Sequence, residues 1–169
     1  MNHEYIKRHL RPEEIKFYIV CVNAVEMDEM WSFWGKKKNQ LWLWHAIDHE
    51  TGDILAYTFG TKEDEVLEKL LVLLDEYRID KFYTDGNPAY GRLLTPPESY
   101  ETEEERGEFH EISKTHTQKI ERVHLSLRTW VKRLARETIC FSKCERMHKI
   151  VVGLCINIKF FGRAWLTYL

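Results

Sequence analysis

The sequence predicts an α/β domain, a mixed sheet with helices packed on its faces. Three consecutive runs rich in β-branched and aromatic residues, at 17–31, 41–48 and 54–60, are separated by turn-forming segments, the signature of a meander. Beyond residue 61, helical and strand patterns alternate before two helical stretches close the chain, and such units add strands to a sheet under a cover of helices. At 169 residues, 44% apolar and 13% aromatic, the chain can bury one full core and is too short for two comfortable domains. Several folds satisfy this order, and pattern alone does not choose among them.

After a charged lead, "FYIVCVNAVEMDEMW" reads as a strand region ending near Trp31. "SFWGKKKNQ" has turn chemistry with an exposed basic knuckle, and "LWLWHAID" is an apolar run short enough for a buried strand. "HETGD" turns tightly into the third strand, "ILAYTFG". Thr61 with Asp64 resembles a capping box, and Val66, Leu67, Leu70, Leu71, Leu74 and Tyr77 follow at helical spacing, predicting a helix over about 62–77. "DKFYTDGNP" is a short strand ending in an Asp-Gly turn.

The next segment, 94–111, holds two prolines and seven glutamates and reads as an inserted acidic, exposed loop. A short fifth strand is expected over 109–113. In the first closing helix Ile120, Val123, Leu127, Trp130, Val131 and Leu134 form one apolar stripe. In the second, Ser142 and Glu145 suggest a capping box, with Met147, Ile150, Val151, Leu154, Ile158 and Phe161 as the stripe. No internal repeat is visible.

No apolar run reaches transmembrane length, and the first residues lack the order of a secretory signal. Four scattered cysteines fit a reducing compartment, so a cytoplasmic protein is expected. The net charge of −2 hides an asymmetry: residues 113–163 carry 12 Lys and Arg against 3 Glu, while the remainder carries 13 bases against 24 acids. A basic C-terminal third is the footprint of a phosphate-binding surface, or of helices with an ordinary solvated face.

Within the first part of that segment, 113–136, Glu121 stands alone as an acid among Lys and Arg. Asp28 interrupts an apolar strand, where an unpaired charge is costly, and Asp85 ends a strand in "FYTDG". Carboxylates from three such elements can hold two divalent ions about 4 Å apart, which activate a hydroxyl on one side of a phosphodiester and stabilise the leaving oxygen on the other. Taken singly, each has a plainer reading. Asp-Gly is a common turn pair, Glu121 can pair with Lys119, Arg122 or Lys132, and Glu26 and Glu29 compete with Asp28. Strand alternation puts Glu26 on the face of Asp28 and Glu29 on the other. On the helix, Glu121, His124, Arg128 and Lys132 fall near one line away from the apolar stripe. His124 and the bases Lys119, Arg122, Arg128, Lys132, Arg133 and Arg136 are therefore expected to meet DNA backbone.

The set "DEMW", "YTDG", "SKTHTQKIERVHLSLR" and "CFSKCERMHKIVVGLCINIKFF" resembles the catalytic half of the insertion sequence one family of bacterial DNA transposases. The similarity runs over about 25–161 and is densest from 113 onward. It implies a ribonuclease H-like fold, a five-stranded mixed sheet with flanking helices, over 21–169 after a lead at 1–20. It also implies a DDE-type site with two magnesium or manganese ions. Carried over residue by residue, the triad is Asp28, Asp85 and Glu121, with Arg128 at the basic position seven after the glutamate. Such a site nicks transposon ends and directs a 3′-hydroxyl onto target DNA. The implied partners are double-stranded DNA, as ends and as target, and a second copy of the chain when assembled on it. The protein would be cytoplasmic, nucleoid-associated when bound to DNA, with no membrane partner.

Three departures from the family pattern stand out. A gap of 35 residues separates Asp85 from Glu121, longer than in the relatives nearest in motif, and the acidic segment supplies the excess. The zinc-binding and helix-turn-helix region that usually reads terminal repeats is not seen. That role is expected of another chain, a longer frameshifted product, or a part outside this sequence. His124 stands where asparagine is expected, either to touch phosphate or water or as a neutral structural residue. Two alternatives to a transposase domain follow: a catalytically silent or regulatory DNA-binding descendant, and a metal-dependent nuclease of the same fold. Cys140, Cys144 and His148 could suggest zinc, but three ligands are too few for a structural site and core cysteines are favoured. Trp31, Trp34, Trp42 and Trp44 are expected in the core rather than as base-stacking surfaces.

Overall fold

A computed structural model of the chain describes residues 20–96, 102–135 and 140–161. Five strands form one sheet: β1 (Val20–Phe33), β2 (Gln40–Asp48), β3 (Ile54–Gly60), β4 (Tyr77–Thr84) and β5 (His110–Ile112). Their spatial order is β3-β2-β1-β4-β5. The first three pair antiparallel, as the short turns between them require, and β4 and β5 add in parallel on the other side of β1. The sheet is therefore mixed, as the sequence predicts.

The helices are α1 (Asp64–Leu74), α2 (Pro88–Leu93), α3 (Glu103–Phe109), α4 (Gln118–Trp130) and α5 (Glu145–Phe160). They cover both faces. One core joins Met27, Trp44, Ala46 and Phe82 of the sheet to Val66, Leu67, Leu70 and Leu74 of α1, Tyr90 of α2 and Phe109 of α3. The opposite core joins Met30, Leu43, Ile47 and Ile54 to Ile120, Val123 and Leu127 of α4 and Val152 and Ile156 of α5. Met27 and Met30, an odd number of residues apart, fall on different faces because side chains alternate along a strand. Gly60, the last residue of β3, is needed where the chain passes into α1: a Cβ there would lie 2.5 Å from Val66 Cγ2.

The structure corrects several local expectations. Neither capping box forms. Thr61 Oγ1 bonds the Glu63 side chain, and α1 has no side-chain cap. Ser142 is fully buried and bonds His148 and Arg133, while α5 starts after Cys144 without a cap. The 94–111 segment is not simply a loop, for its described second half contains α3, and a further short helix, α2, follows the Asp-Gly turn. The α4 stripe holds except at Trp130, which is 45% exposed because the helix ends there and a 3₁₀ turn, Lys132–Leu134, carries the chain on.

On α5 the phase is different from that expected. Met147, Ile150, Leu154 and Ile158 are exposed, and His148, Val152, Gly153 and Ile156 face the core. This helix is apolar nearly all round, so periodicity does not determine which side is buried. The lead at 1–19 and Arg136 lie outside the described residues. Among the described residues no helix is long and apolar enough to cross a membrane.

Candidate active site

The site arises where two paired strands part. The parallel pairing of β1 with β4 ends at Met27↔Thr84. β1 continues beyond it, paired only with β2, from Asp28↔His45 to Phe33↔Gln40. Asp28 and Asp85 are each the residue after that last pair, so two carboxylates stand together at the carboxyl end of β4, the edge where helix-flanked sheets bind ligands. The Asp-Gly turn sets the second: Gly86 has φ +93, and Asp85 Oδ1 accepts the Asn87 N–H at 3.0 Å.

Asp28 lies on the α4 side. Its Oδ1 accepts the Glu29 N–H at 2.7 Å, and its Oδ2 is 3.8 Å from His124 Nδ1. Burial raises its carboxyl to about 7; the bond from the Glu29 amide opposes this, and the charges of Asp85, Glu29 and Glu121 add to it. Glu29 points to the opposite side, as alternation requires. There Asn87 Nδ2 donates at 2.9 Å, Tyr90 OH at 3.0 Å and Lys62 Nζ at 2.8 Å. Because β4 has ended, no strand among the described residues separates the two sides, and one oxygen each of Asp28, Glu29 and Asp85 lie within 4.8 Å of one another. An oxygen-only donor set of this kind suits a hard divalent cation.

The helix that carries Glu121 is tied to β1 by a buried acid. Glu26 shares the face of Asp28; its Oε1 meets His49 Nδ1 at 2.7 Å, and its Oε2 accepts the Ile120 N–H at 2.9 Å in the first turn of α4. A carboxylate there satisfies a donor that the helix leaves unpaired and complements the helix dipole. The neighbouring residue, Glu121, is exposed, and its charge reaches Asp28. Its carboxylate is not among those within 4.8 Å of one another. Glu29, which strand alternation puts on the face opposite Asp28, stands there.

The basic residues expected on DNA are placed unequally. Arg122 and Lys132 are exposed and Arg128 is half-buried. Lys119 Nζ donates to the carbonyls of His49 and Glu50, tying α4 to the β2–β3 turn. Arg133 donates to Ser142 Oγ at 3.1 Å. His124 is buried beneath Asp28, its ring 4.8 Å from that of His45, and burial with the nearby Arg128 pushes it down to about 4. It is neutral at physiological pH and supports the site from below. Arg136 falls outside the described residues.

The other constellations have structural explanations. Cys140 and Cys144 are exposed rather than in the core, while His148 is fully buried on Ser142. Among the described residues, the grouping with metal-ligand spacing is the acid cluster. Trp44 is fully buried with its Nε1 on the Thr61 carbonyl; Trp31, Trp34 and Trp42 are half-buried.

Solved structures share this architecture. The catalytic core domain of BIV integrase superposes with a TM-score of 0.51 at 14% identity, over 80% of this chain and 81% of that one. A chain of the simian T-cell lymphotropic virus intasome, in complex with PP2A regulatory subunit B56 gamma, gives 0.50 at 14% identity, over 85% of this chain and 50% of that one. The fold is thus ribonuclease H-like. In sequence, the insertion element iso-IS1n protein InsB of Shigella dysenteriae is 43% identical over 136 residues, 80% of this chain and 95% of the relative. The insertion element IS1 protein InsB of Shigella flexneri is 38% identical over 143 residues, 85% and 98% of the two chains. The family profile described as IS1 transposase matches residues 18–162, nearly the whole chain. The chain belongs to the IS1 transposase family.

Proposed function

We propose that this chain is the catalytic domain of a DNA transposase, which cleaves phosphodiester bonds at transposon ends and joins the freed 3′-hydroxyl to target DNA. The observation that carries this reading is the convergence of Asp28 and Asp85 beyond the last β1–β4 pair, beside the helix that bears Glu121. Those three carboxylates would hold two magnesium or manganese ions, with Glu29 against the same cluster. Ions held there supply Lewis-acid activation of water or a 3′-hydroxyl and neutralise charge on the departing oxygen. Glu121 is exposed on a rigid helix, and its flexible side chain gives its carboxylate reach toward Asp28. Arg122, Arg128 and Lys132 follow along α4 and the turn after it, and would lie against the strand's phosphates. Double-stranded DNA is the partner, two copies act when two ends are joined, and the reaction takes place in the cytoplasm on the nucleoid.

The test is magnesium- or manganese-dependent cleavage and strand transfer on short DNA carrying the element's ends, comparing wild type with Glu121→Gln. Loss of both reactions with DNA binding retained supports Glu121 as a metal ligand. Cleavage without joined product would make the protein a nuclease of this fold, and activity untouched by the substitution would remove Glu121 from the site.

A further inference from the structure

We propose that Lys62 is a phosphate-binding residue of the reaction site, on the side of the acid cluster away from α4. This rests on the polynucleotide reading above. Lys62 stands in the short connection between β3 and α1, with 47% of its side chain exposed. Its ammonium lies 2.8 Å from Glu29 Oε1 and 4.8 Å from the centre of the Trp42 ring. Asp85 and Asp28 also act on its charge, so this cation stands within the field of the two strand-end carboxylates. A positive group so placed faces a phosphodiester brought to Asp28 and Asp85, whose own charges repel it.

The resting partner can release it. Glu29 is almost fully buried, yet its carboxylate keeps two further donors, Asn87 Nδ2 and Tyr90 OH, when Lys62 leaves. Departure of the ammonium therefore leaves no buried carboxylate without a hydrogen bond. The Lys62 ammonium also lies over the face of Trp42, whose ring favours a nearby cation. By contrast, Lys119 is held by two backbone carbonyls and Arg133 by Ser142. Nothing in the sequence singles out Lys62, because "FGTKEDE" reads as a helix start and the partner Glu29 lies a whole β-meander away.

The experiment measures affinity for a duplex carrying the element's end, in calcium to prevent turnover, as a function of salt. Wild type is compared with Lys62→Gln, Lys62→Met and Lys62→Arg in the full chain. Losing one phosphate contact should flatten the slope of log K against log salt by about 0.9, and Lys62→Arg should restore it. Lys62→Met keeps an apolar stem over Trp42, so agreement of Met with Gln separates the charge from packing. If Lys62 serves only to neutralise Glu29, the neutral variants shift the thermal midpoint and leave the salt slope unchanged, which overturns the assignment. Wild-type protein that binds no duplex would overturn the polynucleotide reading and this one together. Wild-type binding with an unchanged slope in the variants overturns this one alone.

Discussion

Glu26 Oε2 accepts the backbone N–H of Ile120 at 2.9 Å, across 94 residues of sequence, and so fixes the start of α4 against β1. The carboxylate is fully buried, with His49 as its second partner. Glu26→Ala leaves the Ile120 N–H and the His49 ring without this acceptor, and a buried charged hydrogen bond lost in this way costs about 2–3 kcal/mol. Denaturant unfolding should show that loss. Because Glu121 follows Ile120, activity should fall further than stability accounts for, measured at a temperature where the variant remains folded.

Asp28 gives the fold a pH dependence opposite in sign to that of an ion-paired carboxylate. Its folded value is about 7 against an ordinary 3.8, so its favourable contribution is complete below 3.8 and is lost as pH rises to about 7. Asp28→Asn keeps a neutral acceptor for the Glu29 amide. In metal-free buffer the variant should match wild type near pH 3.5 and exceed it above pH 7.5, by up to about 4 kcal/mol. Equal stabilities across that range would show the carboxyl to be far less perturbed.

Gly60 and Val66 make a steric prediction. A methyl group at residue 60 would sit 2.5 Å from Val66 Cγ2, a stiff β-branched side chain that is itself buried in the core. Gly60→Ala should destabilise by about 1–3 kcal/mol as β3 and α1 are forced apart. Gly60→Ala combined with Val66→Ala should recover part of the overpacking loss, beyond what the two single variants add up to.

Ser142 joins three elements. Its carbonyl accepts the Gly35 N–H after β1, and its hydroxyl bonds Arg133 Nη1 and His148 Nδ1. Burial, with help from Arg133, pushes His148 down to about 4, so its stabilising neutral form is present above the ordinary 6.5 and lost as pH falls to about 4. Ser142→Ala should cost about 1–3 kcal/mol at pH 7, read from thermal or denaturant unfolding. His148→Gln should weaken the acid sensitivity between pH 6.5 and 4; an unchanged profile would exclude His148 from that effect.

The strands, their antiparallel meander, the amphipathic α1 and α4, and the residue types needed at a carboxylate site are all legible in the sequence. Alternation and helical spacing record locally which side of an element avoids water, and that information survives in a single chain. Long-range placement decided the rest. Whether Asp28 meets Asp85 depends on the β1–β4 register and on where β4 stops. Whether Glu29 joins them depends on the absence of a strand beyond that point, which alternation along β1 cannot report. The same holds for Lys119 and Arg133, which read as surface bases but are held by distant backbone and by Ser142. On α5, apolar residues on every side left the buried phase undetermined until Val152 and Ile156 met the sheet. Composition and local pattern dictate which groups the protein possesses and which faces seek burial. Which charges share a neighbourhood is a matter of the fold, because electrostatic and hydrogen-bond energies depend on distances of a few ångströms between residues that lie tens of positions apart.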